Sequence, residues 1–353
     1  MSMSILESNN PLMTLITGRN QLADAVFYDV TSLTAQEWLS LKPWVDRKGG
    51  IIAVSPSDPT GSNKETIRHY KHALEFIINE RDCVEAIAIA GVGSSVVGTA
   101  ALARSVANTY KIEVAGIVSG YGLSDVVLEG LGGWYFYGKI DQLRYEMERG
   151  LADLNAILSK TFAQGSDATA YLKNFEFPLD DYVPPSLDVS ALNEILLVRY
   201  VNATRPKMKI RLLVGHSKGN LLISSALNHL NNELRSLLGE KKFKSEDLAM
   251  NNLAVVTLGA VVNLPDELIK KENQHQFLGT LDLLGRTNSR ALQGTIEAGF
   301  TPIDGAGHHL NTKIPGYLDL KEVRDKYLPN LPNIPPDIQL REENRDLLYR
   351  QLR

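Results

Sequence analysis

The chain has 353 residues, 44% hydrophobic and 22% charged, enough apolar material for a sizeable folded core. Lys and Arg number 37 against 41 Asp and Glu, a net charge of −4 with no long basic block, so nothing favours nucleic-acid binding. The single cysteine, Cys83, excludes an internal disulfide and a cysteine-rich metal site, and it reads as a small buried hydrophobe.

No apolar run approaches the ~20 residues of a membrane-spanning helix. Residues 1–10 lack the basic start and apolar stretch of a secretory leader, which makes a cytoplasmic enzyme the expectation. In chain order, Leu22 to Val30 reads as a strand. Thr34, with Glu37 three residues on, reads as the capping box of a short helix to Trp44. Ile51 to Val54 is a short apolar strand. Ile67, Tyr70, Ala73, Leu74 and Ile77 form one stripe of a helix expected from Lys64 to Asn79. His69 and His72 sit on that helix without a nearby third ligand, so no metal is expected.

Ala86 to Ala90 and Ile112 to Val118 are unbroken apolar strands separated by a small-residue helix to Asn108. That arrangement marks a mostly parallel sheet covered by helices on both faces. The intervening Gly91, Gly93 and Gly98 are spaced G-x-G-x-x-x-x-G, and the next strand ends in Ser119-Gly120 instead of an acid. A dinucleotide site, and with it any cofactor, is therefore not expected. Residues 121–205 interrupt the alternation with an aromatic cluster around Trp134 and an amphipathic segment from Ile140 to Ser159. A turn-rich stretch follows, and then a helix from Ser190 to Asn202. An insertion of this size is expected to cap a site.

Leu212 to Gly219 then passes from an apolar strand through Gly215-His216-Ser217-Lys218-Gly219 into a helix. This is the G-x-S-x-G turn that lifts a serine hydroxyl above the end of a sheet. A serine is a weak nucleophile near neutral pH. It needs a histidine to take its proton and a carboxylate to orient that histidine. Asp282, at the end of the strand Phe277 to Asp282, and His308, in the small-residue turn Gly305-Ala306-Gly307, follow Ser217 in that order. His309 competes with His308 for the base, and Asp304 with Asp282 for the acid. His216 reads as a packing residue. The backbone N–H groups of Lys218 and of Gly93 or Ser94 are expected to form the oxyanion hole, with Tyr121 and Gly122 an outside alternative.

These residues resemble the α/β-hydrolase superfamily, in particular its lipase-like branch, over roughly residues 86–318. The resemblance rests on the Gly215 to Gly219 motif, Val255-Val256-Thr257-Leu258-Gly259-Ala260, Gly279-Thr280-Leu281-Asp282 and Gly307-His308. Val118 to Asp125, continuing to Gly132-Gly133-Trp134, looks like a stretch of uncharacterised bacterial relatives. Lys218 departs from the residues usual after the serine, and no His-Gly oxyanion signature precedes the first helix. The resemblance implies an α/β-hydrolase domain over residues 1–328 with its cap at 121–205. A proline-rich linker and a charged terminal helix would occupy 329–353. It also implies a serine esterase needing no metal or cofactor. Its partner would be a lipid or other apolar acyl ester, met by transient contact with a lipid interface. A thioesterase or acyltransferase on the same residues, or a non-catalytic binding protein, are the alternatives.

Overall fold

Eight strands make one sheet in the order β2-β1-β4-β3-β5-β6-β7-β8. They are β1 (Ile51–Val54), β2 (Ile67–Tyr70), β3 (Val84–Ile89), β4 (Glu113–Ile117), β5 (Leu212–His216), β6 (Ala254–Leu258), β7 (Gln274–Gly279) and β8 (Thr301–Ile303). The computed structural model describes residues 24–44, 50–57, 66–80, 82–91, 94–118, 187–201, 208–238, 250, 253–289 and 299–331. These belong to one compact unit formed from residues 1–121 and 187–353. β1 is antiparallel to both β2 and β4, and every other pairing is parallel. The protein is thus α/β with a mostly parallel sheet.

The helices are α1 (Ala35–Leu41), α2 (Ala73–Glu80), α3 (Val96–Tyr110), α4 (Leu187–Val201), α5 (Gly219–Leu238), α6 (Leu283–Asn288) and α7 (Leu320–Tyr327). Strand alternation divides the core in two. Ile87, Ile89, Ala115, Ile117, Leu213 and Val255 face α2, α4 and α5. Ala86, Ala88, Val114, Leu212, Val214 and Val256 face α3 and α7. Each fully buried aliphatic side chain contributes about 1.5–3 kcal/mol relative to exposure, so both faces hold their helices firmly against the strands.

From β3 the chain crosses to β4 on one side, and from β5 it proceeds to β6 on the other. The adjacent strands β3 and β5 therefore flank the point where strand order reverses, beyond whose C-terminal strand ends α/β sheets usually carry their sites. The helices leaving them, α3 and α5, pack on opposite faces.

Several expected elements take another form. Residues 24–27 are helical, where a strand was expected over Leu22 to Val30. The helix expected from Lys64 to Asn79 is two elements, β2 and α2, separated by a bend at Lys71 and His72. His69 lies on the strand, stacked on Trp44 at 4.8 Å, and His72 lies in the bend, so they share no helical face. Helix 190–202, expected within the cap, is α4, whose Leu192, Ile195 and Leu196 are buried in the core with α5. Cys83 is exposed. The remainder of the expected cap up to residue 186, and the terminal helix from Leu340, lie outside the described residues. Among the described residues no helix is long and apolar enough to cross a membrane.

Candidate active site

Ser217 follows β5 directly, in a two-residue turn before α5. Its φ is +54°, one of two positive values among the non-glycine residues described. Left-handed backbone of this kind costs on the order of 1–3 kcal/mol and persists only where the surroundings impose it. Here they do. The Ser217 N–H donates to the Leu258 carbonyl at 2.8 Å, and the Asn220 amide at the start of α5 donates to the Leu258 and Ala260 carbonyls. The motif's glycines are required by close approach. A Cβ at Gly219 would lie 2.1 Å from the Ile89 carbonyl oxygen, and one at Gly215 would lie 2.2 Å from Asn220 Oδ1.

His308 reaches this serine from the loop after β8. Its Nε2 lies 2.8 Å from Ser217 Oγ, and its Nδ1 lies 2.9 and 2.8 Å from the two carboxylate oxygens of Asp282. Asp282 follows β7 and caps α6, accepting from the Gly285 N–H at 2.5 Å. The loops carrying acid and base are tied by the Leu281 N–H, which donates to the Ala306 carbonyl at 2.9 Å. Ser217, Asp282 and His308 are all buried. The two rivals fall elsewhere. Asp304 is exposed and accepts from the Thr280 hydroxyl, and His309 Nδ1 has no hydrogen-bond partner.

Beneath this row lies a polar layer contributed by residues 24–28. The Tyr28 hydroxyl is 2.8 Å from His216 Nδ1 and accepts from the Gly91 N–H at 2.8 Å, while His216 Nε2 is 2.7 Å from the His308 carbonyl oxygen. His216 is therefore more than the packing residue expected. Burial, and then the neighbouring His308, push its imidazole down to about 3, so the ring is neutral. Asp24, also buried, accepts from Ser94 Oγ at 2.8 Å and from the Ser95 N–H at 2.9 Å, at the N-terminus of α3. Burial raises its carboxyl to about 6 against the pull of those hydrogen bonds. Neither Asp24 nor Tyr28 was singled out from the sequence. Their stretch reads as a strand and gives no sign of a polar role, since their partners lie 63 to 188 positions away.

The expected oxyanion donors divide. Lys218 follows Ser217 just before α5, as expected, and is itself buried. The Ser94 N–H donates to the Gly91 carbonyl at 3.1 Å, so the turn itself occupies this donor and Ser94 is a poor second. Gly93, Tyr121 and Gly122 lie outside the described residues. Among the described residues, no group of three or more His, Cys, Asp or Glu side chains is placed to hold a metal ion.

What remains is a buried serine, imidazole and carboxylate in one hydrogen-bonded row, carried by the segments that follow the C-terminal ends of β5, β7 and β8. No protein-family model, curated protein or solved structure matches this chain.

Proposed function

We propose that the chain is a serine hydrolase of the α/β-hydrolase type, which cleaves a carboxylic ester with an apolar acyl group through an acyl-Ser217 intermediate. The observation that carries this reading is the unbroken row from Ser217 Oγ through His308 to Asp282, with every link between 2.8 and 2.9 Å. Asp282 accepts from Nδ1–H, which leaves the Nε2 lone pair directed at the serine hydroxyl. As Oγ attacks the ester carbonyl carbon, its proton passes to His308 Nε2, and the carbonyl π electrons move onto oxygen. Collapse of this tetrahedral species breaks the bond to the alkoxy oxygen, which leaves with the proton from Nε2. Water then repeats the sequence on the acyl-serine and restores the free hydroxyl. The developing oxyanion would lie near the Lys218 N–H at the start of the 20-residue α5, where the helix dipole also favours negative charge.

Support for an apolar acyl group comes from the rim. Leu281 and Leu283 flank Asp282 and are 66% and 76% exposed, with Leu284 also exposed. Large apolar side chains concentrated beside a buried catalytic row suit an apolar substrate or a lipid surface better than a charged one.

A fluorophosphonate probe tests the reading. It should form a covalent adduct on Ser217 and none on Ser217→Ala. Equal labelling of both, or none of either, would sink it. On p-nitrophenyl esters the rate should rise from acetate to octanoate, and flat, near-background rates at every length would count against an ester substrate.

A further inference from the structure

We propose that Tyr28 and His216 are positioning residues, forming a single chain of hydrogen bonds that fixes the main chain of His308 relative to the loop after β3. This inference deepens the serine-hydrolase reading and rests on it.

The direction of every bond in the chain is forced. The His308 carbonyl can only accept, so His216 must carry its proton on Nε2 and donate there at 2.7 Å. The neutral ring then has a lone pair on Nδ1, and the Tyr28 hydroxyl donates to it at 2.8 Å. The same hydroxyl oxygen accepts from the Gly91 N–H at 2.8 Å. Burial holds the Tyr28 phenol well above its ordinary range, so the proton needed for this arrangement stays in place. One tautomer and one direction satisfy all the groups, which couples four segments: residues 24–28, the loop after β3, the end of β5 before Ser217 and the base loop.

The chain ends on the backbone of the residue whose ring is the base. That main chain is held to the same segment a second time, because the Leu310 N–H donates to the Phe27 carbonyl at 2.8 Å. Phe27 also places its ring edge-on to His308, with centroids 5.8 Å apart. The Asn311 amide donates to the Ala25 carbonyl at 2.7 Å. Residues 25–28 therefore act as a floor under His308, and the Tyr28–His216 link is the part of it that also reaches Ser217's own turn. A shift of the His308 carbonyl moves the imidazole directly, and the 2.8 Å separation from Ser217 Oγ leaves little tolerance.

Tyr28→Phe removes one oxygen and leaves the Gly91 N–H and His216 Nδ1 without partners. Saturating fluorophosphonate labelling of this variant should be slower by about tenfold or more, the scale of one unsatisfied buried group. The probe concentration giving half the maximal rate should change by less than about twofold, because uniform binding is untouched.

Nitrogen-15 histidine NMR supplies a readout that needs no reaction. In the parent, His216 should remain the neutral Nε2–H tautomer at about pH 5, given its depressed basicity. In Tyr28→Phe the His216 nitrogens should shift, and the His308 Nδ1–H proton shared with Asp282 should move or exchange faster. An unmoved His308 signal would overturn the link, whether or not labelling slows.

His216→Leu and His216→Gln provide a second test should Tyr28→Phe not fold. Glutamine can still donate to the His308 carbonyl, so it should stay within about fivefold of the parent where leucine loses about tenfold or more. Equal losses would count against the proposal. If parental Ser217 is not labelled at all, the hydrolase reading fails, while the NMR signals of these variants still decide the link.

Discussion

Ser217 is held in left-handed backbone by its neighbours, and on the proposed reading its hydroxyl reacts only while His308 stays in one tautomer. Asp282 fixes that tautomer with both carboxylate oxygens. Asp282→Asn should therefore lower the rate on a p-nitrophenyl ester by roughly 10³- to 10⁴-fold, with little change in KM, because an amide at this position favours the wrong ring tautomer. A loss below about tenfold would remove Asp282 from its assigned role. Asp24 makes a different prediction. Burial raises its carboxyl from 3.8 to about 6 in the folded chain, so folding favours the neutral form. That contribution to stability is whole below about pH 4 and is lost as pH rises through 6. Relative to the parent, Asp24→Asn should gain up to about 3 kcal/mol in urea unfolding between about pH 4 and pH 7, whatever its fixed offset. A constant difference across that window would contradict the burial argument.

At the scale of elements, the strand-to-helix turn depends on α5 starting hard against β3. Gly219→Ala would bring a methyl group to 2.1 Å from the Ile89 carbonyl oxygen and 2.8 Å from that of Ala90, both backbone atoms unable to swing away. It should cost about 1–3 kcal/mol in unfolding free energy and slow labelling of Ser217 with it. The first helix is tied down differently. Thr34 and Glu37 form the expected capping box, and Glu37 also bonds the Thr66 hydroxyl and pairs with the buried Arg104. Glu37→Ala removes the side-chain half of the capping box and leaves Arg104 without its carboxylate partner, so it should destabilise by about 3–5 kcal/mol in the same measurement. The capping box was legible because its signal is four residues long. β2 was not. Ile67, Tyr70, Ala73 and Ile77 imitate a helical stripe, and the bend at Lys71 and His72 that divides strand from helix carries neither glycine nor proline. Within α2 the true inner face is Ala73, Phe76, Ile77 and Glu80, and Leu74 of the expected stripe is exposed.

Across the whole molecule, the parallel strands β3 to β6 were readable because burial on both faces leaves them almost wholly apolar. By contrast, β7 begins three residues before the expected Phe277, at the polar Gln274-His275-Gln276, and ends at Gly279 instead of Asp282, and β8 carries an exposed Pro302. The row of Ser217, Asp282 and His308 was readable for a related reason, since each residue lies just beyond a strand, in turns whose glycines stand out. What held no signal was the layer below it. Asp24 and Tyr28 sit in a stretch that reads as a strand, and they acquire their roles only from partners brought in by the fold. Their remoteness has a consequence for biosynthesis. The carbonyls of Ala25 and Phe27 accept hydrogen bonds from Asn311 and Leu310, residues synthesised more than 280 positions later. Ser217 will have emerged, and β5 can have paired, long before the base and its floor are joined. A nascent chain released after residue 289 should hold β1 to β7 yet leave the fluorophosphonate probe unreacted, because on the proposed reading the serine waits for the loop that carries His308.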